Sequence, residues 1–381
     1  MPNLFTSLFD WIQIAQTTGT GKFYFAKNIL SNNIRQIQTA FKNSFSSFEL
    51  KYSIKANYYP EIIHTANELN VQFECASLFE INYLLQLQIE ANKITLNTPY
   101  LTEDLIQTCI EQNILIQVDH ISQLEMIGES TKTLNKNINI GIRFNLTNIE
   151  DSRFGISNEQ NQIIGLLRML NLYNHLHLKV LHTHFSGKNR NAESLTRKAD
   201  EFQKLYTTYF ESFPITTINI GGGFAGHIPS VLSKQLGFES PGWITYAKSI
   251  SNLANTANQN NLTLMIEPGM ALVADVFYFL SEVINIKKIG NRNIALLNTS
   301  TLFLKPTAHK TNLIFDVIHI NSTQQKSEFE LVGISCMESD ILGTFTGSLS
   351  VGDLIVFKNV GAYTLSYRPN FIFAQPEIIQ L

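Results

Sequence analysis

The sequence predicts an α/β protein, a (β/α)8 TIM barrel followed by a C-terminal all-β, barrel-like domain. Three observations predict it. Short runs rich in β-branched and aromatic residues recur at 49–55, 71–75, 93–97, 115–119, 138–144, 179–184, 217–221 and 262–267. Segments with helical spacing of apolar residues lie between most of them. Beyond about residue 272 that spacing fades, and strand-like runs follow one another with Gly, Asn and Ser turns.

In order along the chain, FYFA at 23–26 reads as a strand, and a helix follows over about 28–43. The strand ELKYSIK then opens the alternation. Helical patterns at 60–69, 78–89, 102–113, 121–135, 159–176 and 194–211 separate the strands after it. Eight such units in about 240 residues match a fold that typically takes roughly 250. The expected division is a barrel over 28–272 and a β-domain over 273–381, with residues 1–27 packing onto the latter. In the β-domain the strand-like runs include 273–289, 293–298, 312–320, 329–334, 353–360 and 371–376.

Composition narrows the function classes. The 381 residues carry 28 Lys+Arg against 31 Asp+Glu, a formal charge of -3, so no electrostatic footprint for nucleic acid exists. No apolar run approaches the roughly 18 residues of a membrane span. The N-terminus lacks the basic and apolar regions of a secretory signal. Three widely spaced cysteines, Cys75, Cys109 and Cys336, make no disulfide framework, and a reducing cytoplasm is the expected setting.

Catalytic residues of such barrels gather where strands end and the following loops converge. Lys55, Glu74, Asn97, Asp119, Arg143, His184, Gly221-Gly222-Gly223 and Glu267 close the eight strands in turn. Lys55, at the end of an apolar strand, is expected to be partly desolvated, which favours a neutral, nucleophilic amine; a lysine snorkelling at a strand end fits the position equally. Three consecutive glycines can turn backbone N–H groups toward an anion, or simply make a tight turn. Glu267 could keep a pyridinium nitrogen protonated or pair with Arg143. His182 and His184 alternate on one strand face and invite a metal reading. However, metal-dependent amidohydrolases carry H-x-H on the first strand, where this chain has Lys55, so no metal is expected. TTGTGKF at 17–23 is no phosphate loop, because Gln16 and Phe23 occupy positions that need Gly and Ser or Thr. Cys75 and Cys109 read as core.

In order, FYFA, YSIKAN, ECASLFEI, RFN, RFGI, HTHFSG, NIGGGF, IEPGM, GISCMESD, VGD and GAY resemble the fold-type III pyridoxal-phosphate decarboxylases, the ornithine, diaminopimelate and biosynthetic arginine decarboxylases that share the alanine racemase barrel. The resemblance implies pyridoxal 5'-phosphate held by Lys55 as a Schiff base, with His184 stacked on its ring. It places Gly221, Gly222, Gly223, Tyr363 and Ser186 at the phosphate, Glu267 at the ring nitrogen, Arg143 near the phenolic oxygen, and Glu74 among the cofactor contacts. It further implies a two-fold homodimer in which Cys336 reaches the neighbouring active site and donates the proton that replaces the departing carboxylate.

Four departures bear on the substrate and the cofactor. Met270 stands where EPGR would place an arginine, and HFSG displaces the usual serine by one position. Met337 follows Cys336 where ornithine and diaminopimelate enzymes carry an acid, although Glu338 or Asp340 could stand in. Lys305 replaces an arginine that binds a substrate carboxylate in diaminopimelate enzymes. These point toward an amino acid conjugated to a carboxylic acid, as in the siderophore-pathway branch of the family. The alternatives are a simple basic amino acid such as ornithine, lysine or diaminopimelate, an amino-acid racemase, and a non-catalytic decarboxylase-like regulator.

Overall fold

The structure is a computed structural model that describes residues 9–149, 152–184, 190–305, 313–320 and 326–381. Eight parallel strands close into a barrel in chain order: Phe48–Ser53, Gln72–Cys75, Ile94–Asn97, Leu115–Val118, Ile138–Asn145, Leu176–Thr183, Thr217–Asn219 and Thr263–Ile266. Each pairs with the next, and the eighth returns to the first with Ile266 opposite Leu50. All eight predicted strands are therefore barrel strands.

The connecting helices Pro60–Glu68, Leu78–Gln86, Glu103–Gln112, Ile121–Leu134, Gln160–Leu172 and Ala192–Leu205 start and stop for local reasons. Pro60 supplies a first-turn residue that needs no N–H partner. Ser77, Thr102 and Asn191 accept from the N–H of Glu80, Leu105 and Ser194. Asn113 and Asn135 end two helices in the left-handed conformation. Leu84, Ile106, Leu124, Ile127, Leu166 and Phe202 are buried on the inward helix faces. Among the described residues no helix is long and apolar enough to cross a membrane.

The chain divides into two compact units, one of residues 31–228 and 238–272, the other of residues 1–30, 229–237 and 273–381. The second unit is mostly β-sheet, with the strand order Ile314–Ile318, Leu354–Lys358, Phe277–Ile289, Arg292–Leu297, Ser327–Val332 and Ile341–Gly347. Strand Lys22–Phe25 runs antiparallel to Phe277–Leu280 and parallel to Ile378–Gln380. Its Tyr24 packs with Trp11, Tyr278, Leu280, Leu354 and Val356 into one cluster.

Two strands of this unit depart from the sequence expectation. The run 371–376 forms no strand: Ile372 takes a φ of 64°, and pairing begins only at Ile378. Conversely Ile341–Gly347, in which Gly and Thr dilute the apolar signal, pairs along Ser327–Val332.

Candidate active site

The first strand passes directly into a short 3-10 turn, Ile54–Ala56, which carries Lys55. Its Nζ donates to both oxygens of Glu74, at 3.1 and 3.2 Å. The Lys55 side chain keeps 41% of its exposure while Glu74 keeps 2%. The site around this lysine is thus an open mouth with a buried carboxylate wall, more polar than the apolar strand end the sequence suggested. Ser53 Oγ donates to Glu74 as well, and one step deeper Lys51 donates from its Nζ to Thr95 Oγ1. Lys51, Ser53 and Lys55 alternate in sequence.

Glu267, at the end of the eighth strand, is buried with its Oε1 held by Asn219 Nδ2 at 2.6 Å and Gln117 Nε2 at 3.2 Å. His182 Nε2 stands 3.5 Å from Oε2 but not in hydrogen-bond geometry, so Oε2 has no hydrogen-bond donor among the described residues. Burial and the nearby Glu74 push this carboxyl up to about 7, against the opposing influence of Lys51, Asn219 and Lys55. Glu267 therefore does not rely on Arg143, which instead approaches Asp119 at 3.7 Å and lies over the Phe154 ring.

Burial drives His182 and His184 well below the ordinary histidine range, helped by the positive charges of Arg143 and Lys55, so both rings are neutral. His184 Nδ1 accepts from the N–H of Gly222 at 3.3 Å. The glycine run does more than turn. A Cβ on Gly222 would sit 2.5 Å from the carbonyl oxygen of Glu267, and one on Gly221 would sit 2.7 Å from His184 Nδ1. Gly221 and Gly223 also take positive φ angles of 70° and 91°. Asn219 Oδ1 accepts from the Gly221 N–H, and Gly221 O accepts from the Glu267 N–H. Strands six, seven and eight are thus stitched together at one rim.

His182, His184 and Glu267 bring donor atoms within 4.8 Å of one another. One atom of each of two of them is already engaged, since Glu267 Oε1 takes two amides and His184 Nδ1 takes a backbone N–H. Ser186 lies outside the described residues. Met270 opens a short helix, Met270–Val273. In the β unit Tyr363 takes a positive φ of 54°, with its ring 6.0 Å from that of Tyr367. Lys305 ends the helix Thr301–Leu304.

Also in the β unit, a cleft of about 330 Å3 is lined by residues including Lys287, Arg292, Cys336, Met337 and Glu338. Cys336 and Glu338 are exposed, whereas Cys75 and Cys109 are buried, with burial pushing the Cys109 thiol up to about 12. Asp340 is turned inward: it accepts from Ser300 Oγ, from the N–H and hydroxyl of Thr301, and from the N–H of Ser335. Its carboxylate is spent on the loop, leaving Glu338 as the exposed acid beside Cys336.

Sequence reasoning missed Lys51, Gln117 and Asn219, because it took only the last residue of each strand. The signal was present in the two-residue period: polar residues at inward positions inside ELKYSIK, LIQVD and TINIG.

Residues 31–274 match the family described as pyridoxal-dependent decarboxylase, pyridoxal binding domain. The chain is similar to 2-[(L-alanin-3-ylcarbamoyl)methyl]-2-hydroxybutanedioate decarboxylase of Staphylococcus aureus (strain NCTC 8325 / PS 47), 25% identical with 88% of each chain covered. It is also similar to diaminopimelate decarboxylase of Methanocaldococcus jannaschii, 24% identical over 95% of this chain and 86% of that one. The crystal structure of the M. jannaschii enzyme shares the fold with a TM-score of 0.84 at 23% identity, covering 98% of this chain and 89% of that one. With the match spanning the barrel that carries Lys55, Glu267 and the glycine run, the chain belongs to the pyridoxal-dependent decarboxylase family.

Proposed function

We propose that this decarboxylase removes the α-carboxylate of an amino acid whose side chain is joined through an amide to a hydroxy-carboxylic acid, the substrate type in the name of its S. aureus relative. The observation that carries the decarboxylase chemistry is the Glu267 carboxylate, one oxygen clamped by two amides and the other without a donor. A ring nitrogen that carries a proton is the partner such an oxygen calls for. The glycine cradle and the lysine at the site mouth fit the other two ends of pyridoxal phosphate. Lys55, His184, Gly221, Gly222, Gly223 and Glu267 would hold it from the barrel, and Tyr363 and Ser186 are proposed at its phosphate.

Bound pyridoxal phosphate supplies an electron sink for the pair released as the Cα–carboxylate bond breaks. The residues do the rest. Lys55 would hold the cofactor covalently, and Glu74, which already accepts from its Nζ, would keep that nitrogen oriented when it is not so bound. Neutral His184 offers a flat, uncharged ring face. Glu267 Oε2 would accept from a protonated ring nitrogen of the cofactor, which deepens the sink. Cys336 of a second copy, kept as a thiol in a reducing cytoplasm, passes its S–H proton to Cα and remains as thiolate. Its exposure supports this reading, as does the odd, unpaired cysteine count.

The substrate class rests on what stands next to Cys336. Met337 carries no charge and Asp340 is occupied, and of the other two acids lining the cleft Glu330 is paired with Arg292 at 2.6 Å, so Glu338 is the acid left to a distal ammonium, while Lys287 lines the same cleft and suits a carboxylate. The test is CO2 release by the cofactor-loaded protein from an amide conjugate of 2,3-diaminopropionate with a hydroxytricarboxylic acid, set against diaminopimelate, ornithine and lysine. Faster turnover of any of the latter three would overturn the substrate assignment. Cys336→Ala should slow turnover sharply or divert the product; unchanged rate and product would remove it from the reaction.

A further inference from the structure

Lys51 is a buried charge inside the barrel that the proposed reaction leaves unused. The parallel register sets Leu50 opposite Ile266, so Lys51 is one step further along, level with Glu267. Its ammonium bonds to Thr95 Oγ1 on the third strand, and Thr95 lies opposite Glu74 of the second. Glu267, Glu49 and Glu74 are the carboxylates that act on it, with the Cys75 thiol beyond them. Glu267 in turn faces Glu74, Lys51, Lys55 and the neutral ring of His182. Burial opposes the ammonium and the carboxylates favour it. A buried lysine whose one hydrogen-bond partner among the described residues is a hydroxyl does little for the fold, because burying a charge is expensive and an apolar side chain of like volume is commonly tolerated as well.

We propose that Lys51 is a positioning residue of the active centre, a fixed cation level with Glu267 that keeps this side chain in its carboxylate form for the cofactor's ring nitrogen; the assignment rests on the decarboxylase reading above. Lys55 cannot serve in this way, since it is committed to Glu74 and to the substrate exchange. Thr95 anchors the ammonium on the opposite side, so the charge cannot swing toward the mouth.

The test reads Glu267 directly. Infrared difference spectra of the ligand-free protein against pH, with Glu267→Gln marking the band, give the midpoint of that carboxyl. Lys51→Met should raise the midpoint by roughly one pH unit, a tenfold weaker acid, whereas Lys51→Arg should leave it near wild type. At about pH 5, where Glu267 is protonated in both, the Lys51→Met protein should melt no lower than wild type. Pyridoxal phosphate should bind Lys51→Met several-fold more weakly near neutral pH, yet still form the borohydride-fixed adduct on Lys55 at saturation. An unchanged midpoint in Lys51→Met, or an equal shift in Lys51→Arg, overturns the proposal. Should Lys51→Met fail to fold, Thr95→Val, which removes the anchor and keeps the charge, is expected to move the midpoint in the same direction by less; no movement counts against the proposal. Failure of wild type to take up pyridoxal phosphate would sink the decarboxylase reading instead, and the midpoint would still decide the role of Lys51.

Discussion

The barrel rim and the 333–340 loop of the β unit handle their carboxylates in opposite ways. Glu267 is buried with one oxygen lacking a donor, and burial raises it to about 7. Asp340 is also buried, but hydrogen bonds from Ser335 and Thr301 outweigh the desolvation and hold it below the ordinary aspartate range. One carboxylate is left wanting a partner and the other is saturated. A buried carboxylate with an unfilled oxygen is an unmet electrostatic demand, characteristic of reaction sites. A saturated one is a rivet, here fixing the loop that carries the exposed Cys336 and Glu338 and the half-buried Met337. On the proposed reading, chemistry and selectivity belong to different units of one chain.

Several substitutions would break or sharpen this contrast. The largest effect is expected from Lys55→Ala, which should lower CO2 release by roughly 10^4-fold or more and abolish the borohydride-fixed adduct. Glu267→Gln should follow, with a loss on the order of 10^2-fold or more measured as CO2 release. It also carries a signature in stability. A carboxyl raised from 4.5 to about 7 by folding contributes stability that is fully present below 4.5 and lost as pH rises through about 7. Melting temperatures of ligand-free wild type should decline across that window, and the slope should flatten in Glu267→Gln.

Asp340→Ala strips partners from buried groups of Ser300, Thr301 and Ser335. It should cost about 2–4 kcal/mol in denaturant unfolding while leaving cofactor uptake by the barrel intact. The sign of its pH effect is the reverse of that of Glu267: the lowered carboxyl stabilises above its ordinary value of 3.8 and is lost only as pH falls below it. The smallest effect is Met337→Glu. It should shift the ratio of kcat/KM values toward a diamine-type amino acid by roughly tenfold, with kcat on the better substrate little changed. An identical ratio would place substrate choice elsewhere.

The barrel was legible because each strand announces itself twice, by its β-branched run and by the amphipathic helix after it. The β unit lacks that second signal, which is why 371–376 looked like a strand and Ile341–Gly347 did not. Lys55, Glu267 and the glycines were legible from strand ends. Lys51, Gln117 and Asn219 were not taken up, since a polar residue inside a strand acquires meaning only when the barrel closes and sets it against its partners. Asp340, expected as a possible stand-in substrate acid, is engaged within its own loop, which the sequence did not show for a related reason. Its partners are backbone and hydroxyl donors that no spacing reveals.

Asn219 joins two parts of the site that would otherwise be adjustable apart. One end of its amide donates to Glu267 Oε1 and the other accepts from the Gly221 N–H. A single rigid amide therefore acts as a gauge between the glycine cradle and the carboxylate, fixing the span into which a bound molecule must fit. On the proposed placement, a shortened or lengthened ligand could satisfy one end only by forfeiting the other, so the barrel would measure its cofactor before any chemistry begins.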